Sequence, residues 1–477
     1  MENQQEGPVR RQSGSKRRRV RPVLIASVAG CAVLGGVLVL LPRERSAEPA
    51  APSPGALAME AVVSGVPAAL PGLTELIEER RKTVRTRPQD ATSWAVLGAA
   101  YVERGRRLAD PAYYPRAEKA LRTSLSVRPR RNTRALAGLA ALSNARRDFP
   151  AARRWGEAAL KLEPRRWTTY PLLIDAYTGL GEYKAAKRTL DRLTGLRSGP
   201  AVLARAAAVH RGRGRGEDAA ASLADAAAGA RAPAERAAYL ERAGQLAFER
   251  GDLDVALRHF REAVRLDPDQ WAARAGQGRT LAALGRTAEA LNAYRAALAG
   301  QPCPQYALEL GELYESLGMP EAARVRYGLL RERVWRAAAG GADEELVLGR
   351  FEADHGDPKA AVRRLRAEWK RQPGTEVADA LGWALYRAGE PGEALRFART
   401  ATAPEPGGGV LDAASMYHRG MIEQQLKRYG AARRHLTQAL RINPHFSPLH
   451  APAARTATEA LGEPPDEGVP EMDGGAG

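Results

Sequence analysis

The strongest constraint on this chain is a period of 34 residues, seen most clearly where Ala256, Phe260, Ala263 and Pro268 return as Ala290, Tyr294, Ala297 and Pro302. Spacing this regular belongs to stacked helical hairpins, none of which buries enough surface to stand alone. The motif repeats through Tyr177 and Ala186, through Leu310, Gly311, Tyr314, Ala323 and Tyr327, and through later units closing at Pro373, Pro406 and Pro444. About ten units fit between residues 91 and 444. The fold class is therefore all-α. Small residues such as Gly278, Ala290 and Ala297 mark where the two helices of a unit cross closely. Glycines such as Gly251 and Gly285 end the first helix, and prolines set the break between units.

The first unit carries Trp94, Leu97, Gly98 and Tyr101 in the spacing W-x2-L-G-x2-Y. With the downstream A-x3-F half, this resembles the tetratricopeptide repeat family. The resemblance implies a right-handed superhelical solenoid whose first helices line a concave groove. Carried over by register, the ninth unit would present Asp379, Trp383, Tyr386 and Arg387 to a ligand. The tenth would present Tyr417, Met421, Gln424 and Gln425, with Arg350, Glu312, Arg279 and Gln245 further back. Aromatic, Met and Arg side chains suit a binding groove. The alternative is that Trp383 and Tyr386 pack against the neighbouring hairpin. The unit near 201–233 is mostly Ala, Arg and Gly and is expected to be the weakest joint. The first unit carries an inserted loop over Leu108–Pro115.

Residues 23–41 hold no charge and no proline, and a helix of that length spans about 28 Å at ~1.5 Å per residue. Arg10, Arg11, Lys16, Arg17, Arg18, Arg19 and Arg21 precede it, so the positive-inside rule puts the N-terminus in the cytoplasm. The expected order is a basic N-terminus (1–21), a single transmembrane signal anchor (22–42) and a Pro/Ala-rich linker (43–72). A capping helix (73–90), the solenoid (91–444) on the extracytoplasmic side of the cell membrane, and a C-terminal cap with an acidic, disordered tail (445–477) follow. Cleavage after Ala56-Leu57-Ala58, or lipidation at Cys31, are the alternative fates of the N-terminal segment.

The net charge is +18, with 64 arginines against 9 lysines. Most arginines stand near an acid on helix faces, and no basic stripe interleaved with aromatics stands out, so nucleic acid is not an expected partner. Two cysteines, one of them Cys31, permit no disulfide framework in the repeats, and Cys303 reads as a filler between prolines. The seven histidines show no metal-ligand spacing, and no Gly-x-Ser-x-Gly elbow or phosphate loop occurs. No enzyme, metal site or cofactor is expected. The expected function is a membrane-tethered scaffold that binds protein or peptide segments. The alternative is a structural subunit of a cell-envelope complex with no peptide groove of its own.

Overall fold

The computed structural model describes residues 52–402 and 412–462. Among them the chain is entirely helical, with 23 α-helices, one short 3-10 turn at Trp167–Thr169 and no strand. The apolar stretch 23–41, Cys31 and the acidic tail lie outside the described residues. Within the described residues no helix is long and apolar enough to cross a membrane.

Ten hairpins follow one another between Ala91 and Ile442. Each has an inner helix, A, and an outer helix, B. In the first unit these are α3 (Ala91–Leu108) and α4 (Tyr113–Val127). In the sixth they are α13 (Trp271–Ala283) and α14 (Thr287–Gly300). A glycine on A takes a side chain from B. A Cβ on Gly278 would lie 2.6 Å from the Tyr294 ring, and one on Gly311 would lie 2.2 Å from Tyr327. Leu121 fills the same role on Gly98, Leu365 on Gly349 and Leu436 on Gly420. Phe260 is fully buried between Gly244 of its own unit and Gly276 of the next, so one knob fastens two hairpins. Overlapping apolar clusters then run from the N-terminal cap to the C-terminal helix His450–Ala460.

The linker reading needs one correction. Residues 54–64 form a helix that pairs with Leu70–Thr86, so a full hairpin caps the array. The Ser53 side chain accepts a bond from the Ala56 amide, and Pro54 occupies the first turn, where its missing N–H costs nothing. Ala58 and Ala61 are buried with Leu73, Leu76 and Ile77, and Gly72 passes so close to Pro54 that a Cβ would lie 2.4 Å from its carbonyl oxygen. Alanine-rich composition resembles a linker, yet alanine is also the strongest helix former.

The fourth unit, Pro200–Arg211 with Gly216–Gly229, is a complete hairpin, but six of its nine buried side chains are alanine, with only Val202, Val209 and Leu223 larger. Alanine removes little apolar surface from water, so this joint gains less than its neighbours. Amide exchange in 200–229 is expected to run about tenfold faster than in the flanking hairpins. Equal protection in a hydrogen-exchange map would overturn that.

The solenoid returns on itself through hydrogen bonds that span 160 to 195 residues, most of them 192 to 195, between five and six repeat lengths. The turns between A and B of the first winding then meet the inter-unit loops of the second. Arg107 donates to Asp267 at 2.6 Å, both side chains being buried (4% and 7% exposed). Gln301 donates to the carbonyl oxygens of Arg106 and Arg107, and Arg146 Nε donates to Gly340 O while its own carbonyl accepts from Asp343. The Tyr183 and Thr375 hydroxyls lie 2.9 Å apart, and Asn443 Nδ2 donates to Phe248 O at 2.7 Å. The inserted loop of the first unit belongs to this seam: Pro111 sits against Gly340, where a Cβ would approach to 2.5 Å. Arg107→Ala strands a buried carboxylate and is expected to cost ~3 kcal/mol. The Arg107→Leu, Asp267→Leu pair should recover most of that loss in thermal melts.

Candidate functional site

The A helices carry their polar side chains towards the concave side, and consecutive A helices brace one another there. Arg205 pairs with Asp175 at 2.6 Å, Arg211 with Glu249 at 2.7 Å and Arg279 with Glu309 at 2.6 Å. Gln245 bridges Glu249 and Arg279. Apart from the Gln245–Glu249 bond within one helix, each spans 30 to 38 residues, about one repeat. These charges already satisfy each other, so Gln245 and Arg279 of the expected face are engaged within the solenoid. The Arg211 guanidinium also lies near Glu376 and Asp412 of the second winding; burial opposes its charge, and the carboxylates hold its pKa above the usual value.

The braces change character in units eight to ten, formed by α17 (Glu345–His355) and α18 (Pro358–Arg371), α19 (Thr375–Arg387) and α20 (Pro391–Thr402), and α21 (Ala413–Gln425) and α22 (Tyr429–Ile442). Here the link is aromatic. Trp383 stacks on Tyr386 with ring centroids 4.9 Å apart and on His418 at 4.3 Å. Its indole N–H donates to Asp354 at 2.9 Å, and Arg387 donates to the same carboxylate at 2.9 Å. His418 Nδ1 lies 3.0 Å from Asp379, and His450 of the C-terminal helix stacks on Tyr417 at 5.0 Å. Behind them His355 stacks on Tyr327 and reaches Glu315 at 3.1 Å and Glu312 at 3.6 Å.

This places the expected site residues in two groups. Trp383 and Tyr417 are buried (5% and 4% exposed) within the apolar cluster of units eight to ten, as Asp379 is beside His418. They support the wall and do not present an open face, which corrects the register-based reading. The physical reason is the C-terminal segment: Phe446 in the turn after the last repeat lies against Tyr417, and His450 at the start of the C-terminal helix lies against both. Tyr386, Met421 and Gln424 are half-buried, Gln425 and Arg387 are exposed, and Arg350 is half-buried near Asp379 and Glu376. Asp354, His418 and His450 were missed by the register. Asp354 accepts from Trp383 and Arg387, two of the expected residues, and His450 lies beyond the last repeat, where no repeat register exists.

The two histidines on Trp383 titrate in opposite directions. For His418, burial disfavours the cation, but Asp379 outweighs it and raises the pKa above the ordinary value. Burial would raise Asp379, yet His418 and Arg350 hold it below the usual carboxylate range. Burial pushes His450 down to about 4, with His418, His355 and Arg387 adding to the effect against Asp354. Cys303 is half-buried, and burial raises its thiol to about 12, so it stays protonated. No three His, Cys, Asp or Glu side chains among the described residues are placed to hold a metal ion.

The sign of each histidine follows from linkage. His418 stabilises the fold below its unfolded pKa of about 6.5 and loses this as pH rises through its raised folded value. His450 must be neutral when packed, so its contribution is lost as pH falls from about 6.5 towards 4. Stability of units nine and ten is expected to peak near pH 6.5, with His450→Phe removing the acid-side loss of ~1–3 kcal/mol and leaving the alkaline side unchanged. Hydrogen exchange of 413–460 across pH checks both limbs.

Tetratricopeptide repeat family models match residues 204–270, 241–302 and 276–332, and another matches 413–446. Among solved structures, a tetratricopeptide repeat protein from Parabacteroides merdae is similar at 18% identity, covering 55% of this chain and 98% of that one, with a TM-score of 0.31. Pseudomonas aeruginosa pilF is similar at 20% identity over 44% of this chain and 94% of that one, TM-score 0.35. The human IFIT1 dimer with PPP-AAAA is similar at 17% identity over 65% and 72%, TM-score 0.45. No curated protein matches the chain. The repeats within 204–332 and 413–446 are thus matched as tetratricopeptide repeats.

Proposed function

We propose that this tetratricopeptide repeat chain is a membrane-tethered, non-catalytic scaffold that holds a protein segment in the concave wall of units eight to ten. The carrying observation is the open side of the Trp383 stack. Several charges of the earlier A helices are consumed by braces, whereas Tyr386, Met421, Gln424, Gln425 and the exposed edge of the Asp354-bound Arg387 remain accessible beside a packed wall. A wall whose rotamers are locked by stacking and by Asp354 loses little entropy when a partner docks. Such a mixture of aromatic, Met, Arg and amide groups suits an extended segment with both apolar and acidic side chains.

The tether is residues 23–41, with the solenoid on the extracytoplasmic side, as the basic cluster before the stretch supports. A second reading, a structural subunit of a cell-envelope complex, draws on the convex side of unit seven. Its outer helix Pro320–Ala339 is the longest described, and leaves Trp335 72% exposed, with Leu317, Met319 and Val325 exposed near its start. That reading predicts co-purification with integral membrane proteins through unit seven.

The test leaves Trp383 in place, since its loss would open the core of units eight to ten. Tyr386→Ala with Met421→Ala is expected to lower the melting temperature, because both pack against the Trp383 cluster, and to weaken capture of the native partner by ~10-fold or more at a temperature where the variant stays folded. Capture is read by a photocrosslinker placed at Gln424 in intact cells. Undiminished crosslinking in the double variant sinks the groove. Crosslinks that require a probe at Trp335 instead favour the second reading. A cysteine placed in the 463–477 tail and labelled by an impermeant thiol reagent from outside tests the side of the membrane.

A further inference from the structure

The two windings of the solenoid carry opposite charge at the same structural position. Inter-unit loops of the second winding, 267–270, 301–303, 340–344 and 372–374, carry Asp267, Asp269, Asp343 and Glu344 and no Arg or Lys. They lie against the turns of the first winding, where Arg107 and Arg146 meet them. The first winding's own loops, 87–90, 128–132, 163–166, 197–199 and 230–232, have no winding beyond them. No hydrogen bond or ion pair among the described residues reaches these loops from the second winding. They carry eight arginines against Asp90 and Glu163. An arginine-rich composition would load covered and open loops alike. Here the covered loops are acidic and the open ones basic.

The rim is available. Arg87, Arg128, Arg130, Arg131, Arg165 and Arg197 are exposed and form no ion pair among the described residues. Arg197 lies over the Trp167 ring at 5.7 Å, which leaves its charge uncompensated. The two acids are occupied: Asp90 caps its own helix through the Thr92 and Ser93 amides at 3.0 Å, and Glu163 pairs with Arg166 at 3.2 Å. Aromatic side chains do not alternate with these arginines as stacking platforms for bases would require. The rim therefore offers guanidinium groups to phosphate oxygens and little to bases.

We propose that this basic rim seats on the anionic lipid headgroups of the membrane that holds residues 23–41. The inference rests on the tethering reading above. The N-terminal segment enters the solenoid at its first winding, and the residues between 42 and 53 span at most ~40 Å when extended. That tether keeps the first winding within reach of the headgroups, while electrostatic attraction acts only within about 10 Å at 0.1 M salt. Close seating is thus a property of the rim and not of the tether alone. With the first winding seated, the groove of units eight to ten, in the second winding, is left at the distal end.

The test uses the full-length protein reconstituted into vesicles of phosphatidylcholine alone and of phosphatidylcholine with phosphatidylglycerol. Hydrogen exchange of segments 128–134, 163–167 and 197–199 is expected to be at least about fivefold slower on the anionic vesicles, with the difference abolished by high salt. The variant Arg128→Gln, Arg130→Gln, Arg131→Gln, Arg165→Gln should fold with an unchanged melting temperature and lose the difference. Equal exchange on both vesicles, or slowing that survives in the variant, overturns the proposal. So does protection that appears on neutral vesicles only when single-stranded RNA or polyglutamate is added, which would assign the rim to another anion. Resistance of the protein to alkaline extraction from neutral vesicles reports separately on the tether. A chain that washes off them fails the tethering reading, and the rim is still judged on the anionic vesicles.

Discussion

Everything in this solenoid depends on how closely two helices of a unit approach, and that distance is set by one seat. In six of the ten hairpins a B-helix side chain rests on a glycine of its own A helix, with no Cβ between them; Gly138 and Gly179 instead receive Leu121 and Phe149 of the preceding unit, and the A helix of the fourth unit has no glycine. Close approach at the A–B crossing fixes each hairpin, and a knob shared with the next A helix, as Phe260 is shared by Gly244 and Gly276, fixes the rotation between hairpins. Repeated ten times, a small constant rotation becomes a winding. The winding closes against itself only because that rotation is nearly uniform, so that turns and loops 192 to 195 residues apart arrive in register.

The seam shows how helix ends organise charge. Two A helices of the first winding end in basic residues, Arg106 and Arg107 in α3 and Arg211 in the fourth unit, where the helix dipole favours cations. The loops that introduce A helices of the second winding hold Asp267 and Asp343, near N-termini that favour anions; Asp343 accepts from the Glu345 amide. End-to-end stacking of the two windings thus brings complementary charges together without any design beyond local helix preferences. Burial of the Arg107–Asp267 pair makes its loss costly, although the pair itself adds little net stability over an apolar match.

The repeat made most of the fold legible in the sequence. Glycine, knob and closing proline recur at the repeat spacing because each unit solves the same packing problem, and this located the hairpins between residues 91 and 444. What was not legible shares one cause: it lies between parts that no period connects. Pro111 on Gly340 and Asn443 on Phe248 join residues far outside any repeat spacing. The helix at Pro54–Ser64 precedes the periodic region, and His450 follows it. In units nine and ten the register places the expected residues on the A helices. It could not tell an open face from a covered one, because the cover on Trp383 and Tyr417 comes from the C-terminal helix.

The arginine content, which in the sequence reads as a compositional bias, serves several physical roles in the structure. Some arginines brace consecutive A helices through carboxylates one repeat away, as Arg205 and Arg279 do. Others close the seam from helix C-termini. Many pair with an acid on their own helix, as Arg265 does with Glu262 and Arg336 with Glu332, and eight stand on loops that no second winding covers. A base-composition bias acts on codons and is blind to that distinction, whereas solvent and partners are not. Placement in the fold, and not abundance, is therefore what separates a structural arginine from one free to meet a partner.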